Sequence, residues 1–250
     1  MAGAALAASF APFVQVQTGS WRVGLAVWAV LAALALVFWY AQRSVLPPLP
    51  HAGAGSQASF FGNRRAWLLA IFFGLGTASY TCVLAWLAPY YVERGWSEQN
   101  AGLLLGLLTA MEVISGLVTP AIANRRQDKR AVVAVLLVLI IIGFCGLILS
   151  PQHLGLLWPC LLGLGIGGLF PMSLILSLDH LENPRRAGAL TGFVQGIGYL
   201  IAGLSPLIAG MIRDQLGSFE WAWWSLTAVV VVMLLMVTRF NPAQYARHIR

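Results

Sequence analysis

Charged side chains are scarce in this 250-residue sequence, where Asp, Glu, Lys and Arg together make up only 9% of the residues. A soluble globular domain has about a quarter charged residues, so the composition excludes that class of protein. Hydrophobic residues make up 59% of the chain, and the mean hydropathy is +0.80. The sequence therefore predicts an all-α integral membrane protein.

Several chemical signatures are also missing. The three cysteines lie far apart and fit neither a disulfide framework nor a zinc site. The histidines fall in predicted loops or at the ends of apolar runs, so we expect no metal and no cofactor. A GxGxxG pattern lies within Gly163 to Pro171, but inside an apolar run with no preceding strand, which argues against a dinucleotide site. With no P-loop and no nucleophile paired with a base, we expect no enzyme.

Long apolar runs divide the chain into membrane spans. At a rise of about 1.5 Å per residue, about 20 apolar residues cross a hydrocarbon core of about 30 Å. Seven runs have this length, with predicted boundaries at 23–41, 66–91, 101–123, 131–149, 154–178, 187–212 and 219–238. The apolar run that starts at Met1 has no basic n-region and no cleavage site, so we interpret it as the second half of an eighth membrane helix whose beginning is missing.

The basic residues lie between the apolar runs and are distributed unequally. Twelve fall on one predicted side of the membrane and three on the other, namely Arg22, Arg94 and Arg213. By the positive-inside rule the richer side is cytoplasmic, and both ends of the chain lie there. This distribution accounts for the net charge of +7 without a nucleic-acid partner.

A long connection and a short repeat indicate how the spans are grouped. Residues 42–65 are rich in Pro, Gly, Ala and Ser, which is typical of a flexible linker, and they separate two spans from six. The first and last pairs of spans share a proline and a Gly-Ser pair followed by Trp: Pro12 with Pro206, and Gly19-Ser20 with Gly217-Ser218. A parallel repeat is typical of transporters with two six-helix halves.

From this grouping we predict four parts of the chain. Residues 1–41 are the last two helices of an N-terminal bundle, and residues 42–65 are a cytoplasmic linker. Residues 66–240 form a C-terminal six-helix bundle, and residues 241–250 are a cytoplasmic tail.

Glu112 is the only carboxylate well inside a predicted span. Thr109, Ser115, Gly116 and Thr119 share its side of the helix at spacings of three and four residues. An ionisable group at this depth is costly, which favours a proton site or a substrate contact. The structural alternatives are a protonated glutamate bonded to a neighbouring helix, or one that leans toward water.

Four further residues are candidates for the wall of a substrate cavity. Tyr80 and Trp86 lie in the span that starts near residue 66, although aromatic residues in membrane helices more often pack or lie at the interface. Gln195 and Tyr199 lie one turn apart in the span over 187–212, where polar groups should face a bundle or a cavity. The same span has small residues that we expect to bring neighbouring backbones close: Gly188, Gly192, Gly196 and Gly203.

Four segments resemble the cyanate transporter branch of the major facilitator superfamily, which is related to the 2-nitroimidazole transporters: FFGLGTASYTCVLAWLAPYYVERG (72–95), GFCG (143–146), GLGIGGLFP with SLDH (163–180) and FVQGIGYLIAGLSPLIAG (193–210). PAIANRRQDKR (120–130) stands where the superfamily has a cytoplasmic gating motif. The resemblance implies an N-terminally truncated helical bundle, helices 5 to 12 of twelve, in the bacterial inner membrane.

The resemblance also implies secondary active transport, by alternating access, of cyanate or a similar small polar solute. The expected partners are a small-molecule or small-anion substrate, a proton as candidate coupling ion, and the lipid bilayer. Two alternatives stay open at this point. One is an inactive truncated carrier or a non-transporting membrane scaffold, and the other is an efflux carrier for another small organic compound.

Overall fold

A computed structural model describes residues 17–42 and 60–245, together with Phe10 and Val14. Within these ranges the chain is helical, with seven long α-helices and one short 3₁₀ turn after them (Pro242–Gln244). The long helices are α1 (Trp21–Gln42), α2 (Arg64–Val92), α3 (Glu98–Ala123), α4 (Arg130–Leu149), α5 (Leu157–Leu178), α6 (Pro184–Leu216) and α7 (Glu220–Val237).

All seven helices are long and apolar enough to cross a membrane. They coincide with the seven full spans that the apolar runs predict, which confirms those spans and an all-α membrane fold. The predicted half-helix at the start and most of the predicted linker lie outside the described residues. The described residues fall into two compact units, one containing α1 and the other containing α2 to α7.

Polar residues fix several of the helix ends. Asn63 accepts hydrogen bonds from the amides of Arg65 (2.8 Å) and Ala66 (3.1 Å) at the start of α2. Asn183 caps α6 in the same way, with Pro184 as the first helical residue. At the other end of α6, Gly217 has a φ of +69°, a left-handed conformation that ends the helix at little steric cost.

The six helices of the larger unit pack mainly in pairs, and neighbouring pairs contact each other. The most extensive contacts are those of α2 with α6 and of α3 with α5. Helix α5 also packs on α4, and α4 packs on α7, so that α5 lies between α3 and α4. This arrangement places the polar stripe of α3 against the glycine-rich segment of α5.

The α2–α6 pair compensates for a proline inside α6. Pro206 has no amide hydrogen, so the carbonyl of Ala202 loses its helical partner. The hydroxyls of Ser205 (2.8 Å) and of Thr81 on α2 (3.1 Å) donate to that carbonyl instead. Helix α6 therefore continues past Pro206, because its own Ser205 and a side chain of its neighbour satisfy the exposed backbone group.

Candidate functional site

The closest approach between α3 and α5 lies at Glu112. A side chain at Gly167 would overlap the Cα atom and the carbonyl group of Glu112. One turn earlier, a side chain at Gly163 would overlap the carbonyl oxygen of Leu108. The glycine-rich segment of α5 thus lets its backbone meet that of α3 at Gly163 and Gly167, whereas Gly165 faces α4.

Glu112 is fully buried, with 0% of its surface exposed. Neither of its carboxyl oxygens has a hydrogen-bond partner among the described residues. A buried ionised carboxylate without a partner is strongly unfavourable, so this group either holds a proton or has a partner outside the described residues. This arrangement is typical of a functional site.

The other polar groups of the α3 stripe have partners. The Ser115 hydroxyl donates to the carbonyl of Leu164 on α5 (2.5 Å) and lies 3.1 Å from the Thr119 hydroxyl. The Thr109 hydroxyl donates to the carbonyl of Leu105 in its own helix (2.8 Å). Glu112 therefore differs from Thr109, Ser115 and Thr119, each of which has a hydrogen-bond partner, and Ser115 links α3 to α5.

Tyr80 lies between α2 and α5, at a small internal space of about 10 Å³. Phe73, Thr77, Phe170 and Ser173 line the same space, and the Phe73 and Phe170 rings lie 5.7 Å apart. Thr77 and Ser173 donate their hydroxyls to carbonyls of their own helices. The space holds about one water molecule, so the two helices are closed against each other here.

Tyr80 and Glu112 both lie beside α5, Tyr80 on α2 and Glu112 on α3. The sequence analysis missed Phe73 and Phe170 as lining residues. No signal in the sequence separates these phenylalanines from those that face lipid.

Tyr199 and Gln195 lie on the more open side of α6. Tyr199 is 49% exposed, and its ring meets the edge of the Phe73 ring at 5.4 Å. Gln195 is half-buried. Phe73 thus contacts Tyr199 and also lines the space beside Tyr80. Phe73 and Phe170 form an aromatic cluster, which we call the Phe73 cluster, and the predicted site residues Tyr80 and Tyr199 border it.

Trp86 lies apart from this cluster, toward the other end of α2. Its indole Nε1 donates to the carbonyl of Pro206 (3.0 Å), and its ring lies 5.2 Å from that of Phe219. Gly210 of α6 leaves room for the indole, because a side chain there would approach it to 3.0 Å. These contacts correspond to the packing alternative for Trp86.

One expectation about α6 is wrong for the described part of the chain. Nothing lies within 4 Å of a side chain placed at any of the four predicted packing glycines: Gly188, Gly192, Gly196 and Gly203. The close contact of α6 is made by Gly198, where a side chain would overlap Phe73 of α2. The small residues indicated a packing helix correctly, but they lie on a different face.

Ion pairs connect the helices at both ends of the bundle. At one end, Lys129 before α4 pairs with Asp179 after α5 (2.6 Å). Beside this pair, hydrogen bonds from Arg130 hold the pKa of Asp128 below its usual range. At the other end, Arg213 of α6 pairs with Glu93 (2.5 Å), and Arg94 pairs with Glu220 of α7 (2.7 Å).

Comparison with known proteins identifies the family. Residues 1–206, most of the chain, match the profile of the Major Facilitator Superfamily. The chain belongs to this superfamily. Solved structures agree in fold: a peptide transporter in complex with alafosfalin matches with a TM-score of 0.65 at 21% identity, over 77% of this chain and 41% of the other.

Relatives within the superfamily are named as transporters. The chain is 38% identical to the cyanate transport protein of Escherichia coli (strain K12), over 98% of this chain and 64% of the relative. It is 28% identical to the 2-nitroimidazole transporter of the same organism, over 94% of this chain and 59% of the relative. The chain thus spans about three fifths of the length of these relatives.

Proposed function

We propose that this chain acts in the secondary active transport of a small polar solute of the cyanate type, by alternating access across the bacterial inner membrane. Its membership of the superfamily and its 38% identity with a cyanate transport protein support this proposal. The observation that carries it is the buried Glu112 carboxyl, which has no partner among the described residues and lies where α3 and α5 meet.

In this proposal Glu112 binds a coupling proton. A protonated carboxyl is tolerated in a buried, apolar contact, whereas an ionised one needs water or a cation. Binding and release of the proton therefore favour different arrangements of α3 and α5. A group whose two charge states prefer different helix contacts can couple a proton gradient to a conformational change.

The solute is held by neutral donors. No Lys or Arg lies in the middle of α2, α3, α5 or α6, so within these helices an anion such as cyanate has to be bound by hydroxyl and amide groups. Tyr80 and Tyr199 supply such groups beside the Phe73 cluster, and Gln195 lies one turn before Tyr199 on α6. Trp86 supports this wall by fixing α2 to α6.

The ion pairs at the two ends hold the helices of one bundle together at each membrane face, so that the bundle can move as a body. Lys129–Asp179 lies on the side that is rich in basic residues, which we assign to the cytoplasm together with both ends of the chain. Glu93–Arg213 and Arg94–Glu220 lie on the opposite side. Alternating access moves one helix bundle against another about a site near the middle of the membrane.

A radiolabelled uptake assay tests this function. Cells that express the chain, shown to be in the membrane, are expected to take up labelled cyanate faster than cells with an empty vector.

A second candidate is efflux of a small organic compound, which the likeness to the 2-nitroimidazole transporter favours. Release of labelled 2-nitroimidazole from preloaded cells, without cyanate uptake, would support efflux. No transport of either compound would contradict both candidates.

A further inference from the structure

A groove between the start of α2 and the end of α7 carries a concentration of arginine, away from Glu112. It is open to the surface, with a volume of about 870 Å³, and its polar side is formed by Arg64, Arg65, Thr238 and Arg239. We call it the arginine groove. Arg64 is the first residue of α2, and Arg239 follows α7 by two residues, so both guanidinium groups lie where the helices leave the membrane on the same side.

The described acidic residues do not neutralise the charge of this groove. Neither Arg64 nor Arg239 takes part in an ion pair among the described residues. Arg65 is 8% exposed and uses its Nε–H to donate to Nε2 of His180 (3.0 Å). Its Nη2 is buried without an acceptor in the described part of the chain. The Arg65 guanidinium lies over the rings of Phe240 (5.1 Å) and Tyr245 (5.9 Å), so its charge lies behind the groove. Arg64 and Arg239 are exposed and flank a space that favours an anion.

The deeper side of the groove is apolar. Leu68 lies one turn into α2, and Val232 and Leu235 of α7 are 51% and 66% exposed. A charged rim above an apolar wall matches a molecule with an anionic head and a hydrocarbon tail. A free phosphate ion would use only the rim.

We propose that the arginine groove is a binding site for an anionic phospholipid. The phosphate headgroup is bound by Arg64 and Arg239, with the buried charge of Arg65 behind them, since the planar guanidinium group can donate two hydrogen bonds to one phosphate. An acyl chain lies along Leu68 and α7. Basic pockets between helices on the cytoplasmic side of membrane proteins are typical sites for such headgroups. The proposal requires only that the chain lies in a membrane, so it stands or falls separately from the transported solute.

Native mass spectrometry of the purified 250-residue chain tests this site. Phosphatidylglycerol and phosphatidylcholine are titrated separately, and the apparent affinity of the first bound lipid is measured for each. The variant Arg64→Gln/Arg239→Gln removes two exposed charges of the groove and leaves the packed Arg65 in place. Arg125→Gln/Arg126→Gln is the matched control, because it removes two charges from the same side outside the groove. The single variants Arg64→Gln and Arg239→Gln keep the test valid if the double variant fails to insert.

We expect phosphatidylglycerol to bind more tightly than phosphatidylcholine, with a loss of about tenfold or more in the groove variant and little change in the control. Excess inorganic phosphate should leave lipid binding unchanged. Equal losses in both double variants would overturn the proposal, because they would show a general effect of surface charge. Equal affinity for both lipids, or displacement of the lipid by inorganic phosphate, would also overturn it.

Discussion

Gly167 of α5 packs directly against the backbone of Glu112 on α3, with no room for a side chain between them. This contact places the only carboxyl in the middle of a described membrane helix at the closest point between two helices. The carboxyl is thereby shielded from water and from lipid, and a change in its charge acts directly on the α3–α5 contact. Position and chemistry together make Glu112 the centre of the proposed site.

Replacing Gly167 should separate these helices. Gly167→Ala is expected to lower stability by about 1–3 kcal/mol, because the new methyl group overlaps the Glu112 backbone and the helices have to move apart. Thermal unfolding of the purified protein in detergent measures the effect. Gly192→Ala is the matched control, since nothing lies within 4 Å of that position and alanine favours the helix. Equal melting temperatures for the two variants would contradict the described contact.

A substitution of Trp86 tests whether this side chain packs between helices or binds the substrate. Trp86→Phe removes the hydrogen bond to the carbonyl of Pro206 and should lower stability by about 0.5–1.5 kcal/mol. The KM of uptake should stay close to that of the unchanged chain. A raised KM in Trp86→Phe would place Trp86 in the substrate site as the sequence first suggested.

Tyr80→Phe should have the opposite pattern, with a raised KM and little loss of stability, because Tyr80 borders the proposed solute path.

Tyr245 is expected to make the end of the bundle that follows α7 sensitive to alkaline pH. Burial, together with the nearby Asp179 carboxylate, raises the pKa of Tyr245 to about 12, although Arg65 opposes the shift. Its hydroxyl donates to the carbonyl of Phe240 (3.0 Å), and its ring stacks on His180 at 3.8 Å. A phenolate cannot donate this hydrogen bond.

A group whose pKa is higher in the folded than in the unfolded state stabilises the fold fully below the unfolded pKa, here about 10. The contribution of Tyr245 should therefore be lost as the pH rises from about 10 through about 12. Tyr245→Phe should be less stable at neutral pH, and its melting temperature should fall less over this alkaline range. Parallel pH profiles for the variant and the unchanged chain would contradict this role.

The sequence predicts the membrane helices well because a span needs little more than length and an apolar composition. It also identifies Glu112, since a single carboxylate inside an apolar run is conspicuous. It cannot tell which face of a helix meets a neighbour. Nothing in the sequence distinguishes Gly192 from Gly167. Of these two glycines, however, only Gly167 makes a close helix contact among the described residues. Phe73 is likewise indistinguishable from a lipid-facing phenylalanine until α2 and α5 are paired.

The central claim, that Glu112 couples a proton to the transport of a cyanate-like solute, is tested most directly by uptake of labelled cyanate over a series of external pH values. The unchanged chain should show uptake that varies with pH, and Glu112→Gln should lose this dependence while it still inserts in the membrane. Glu98→Gln, which removes an exposed carboxylate from the first turn of α3, should keep the original profile. A Glu112→Gln profile identical to that of the unchanged chain would contradict the claim.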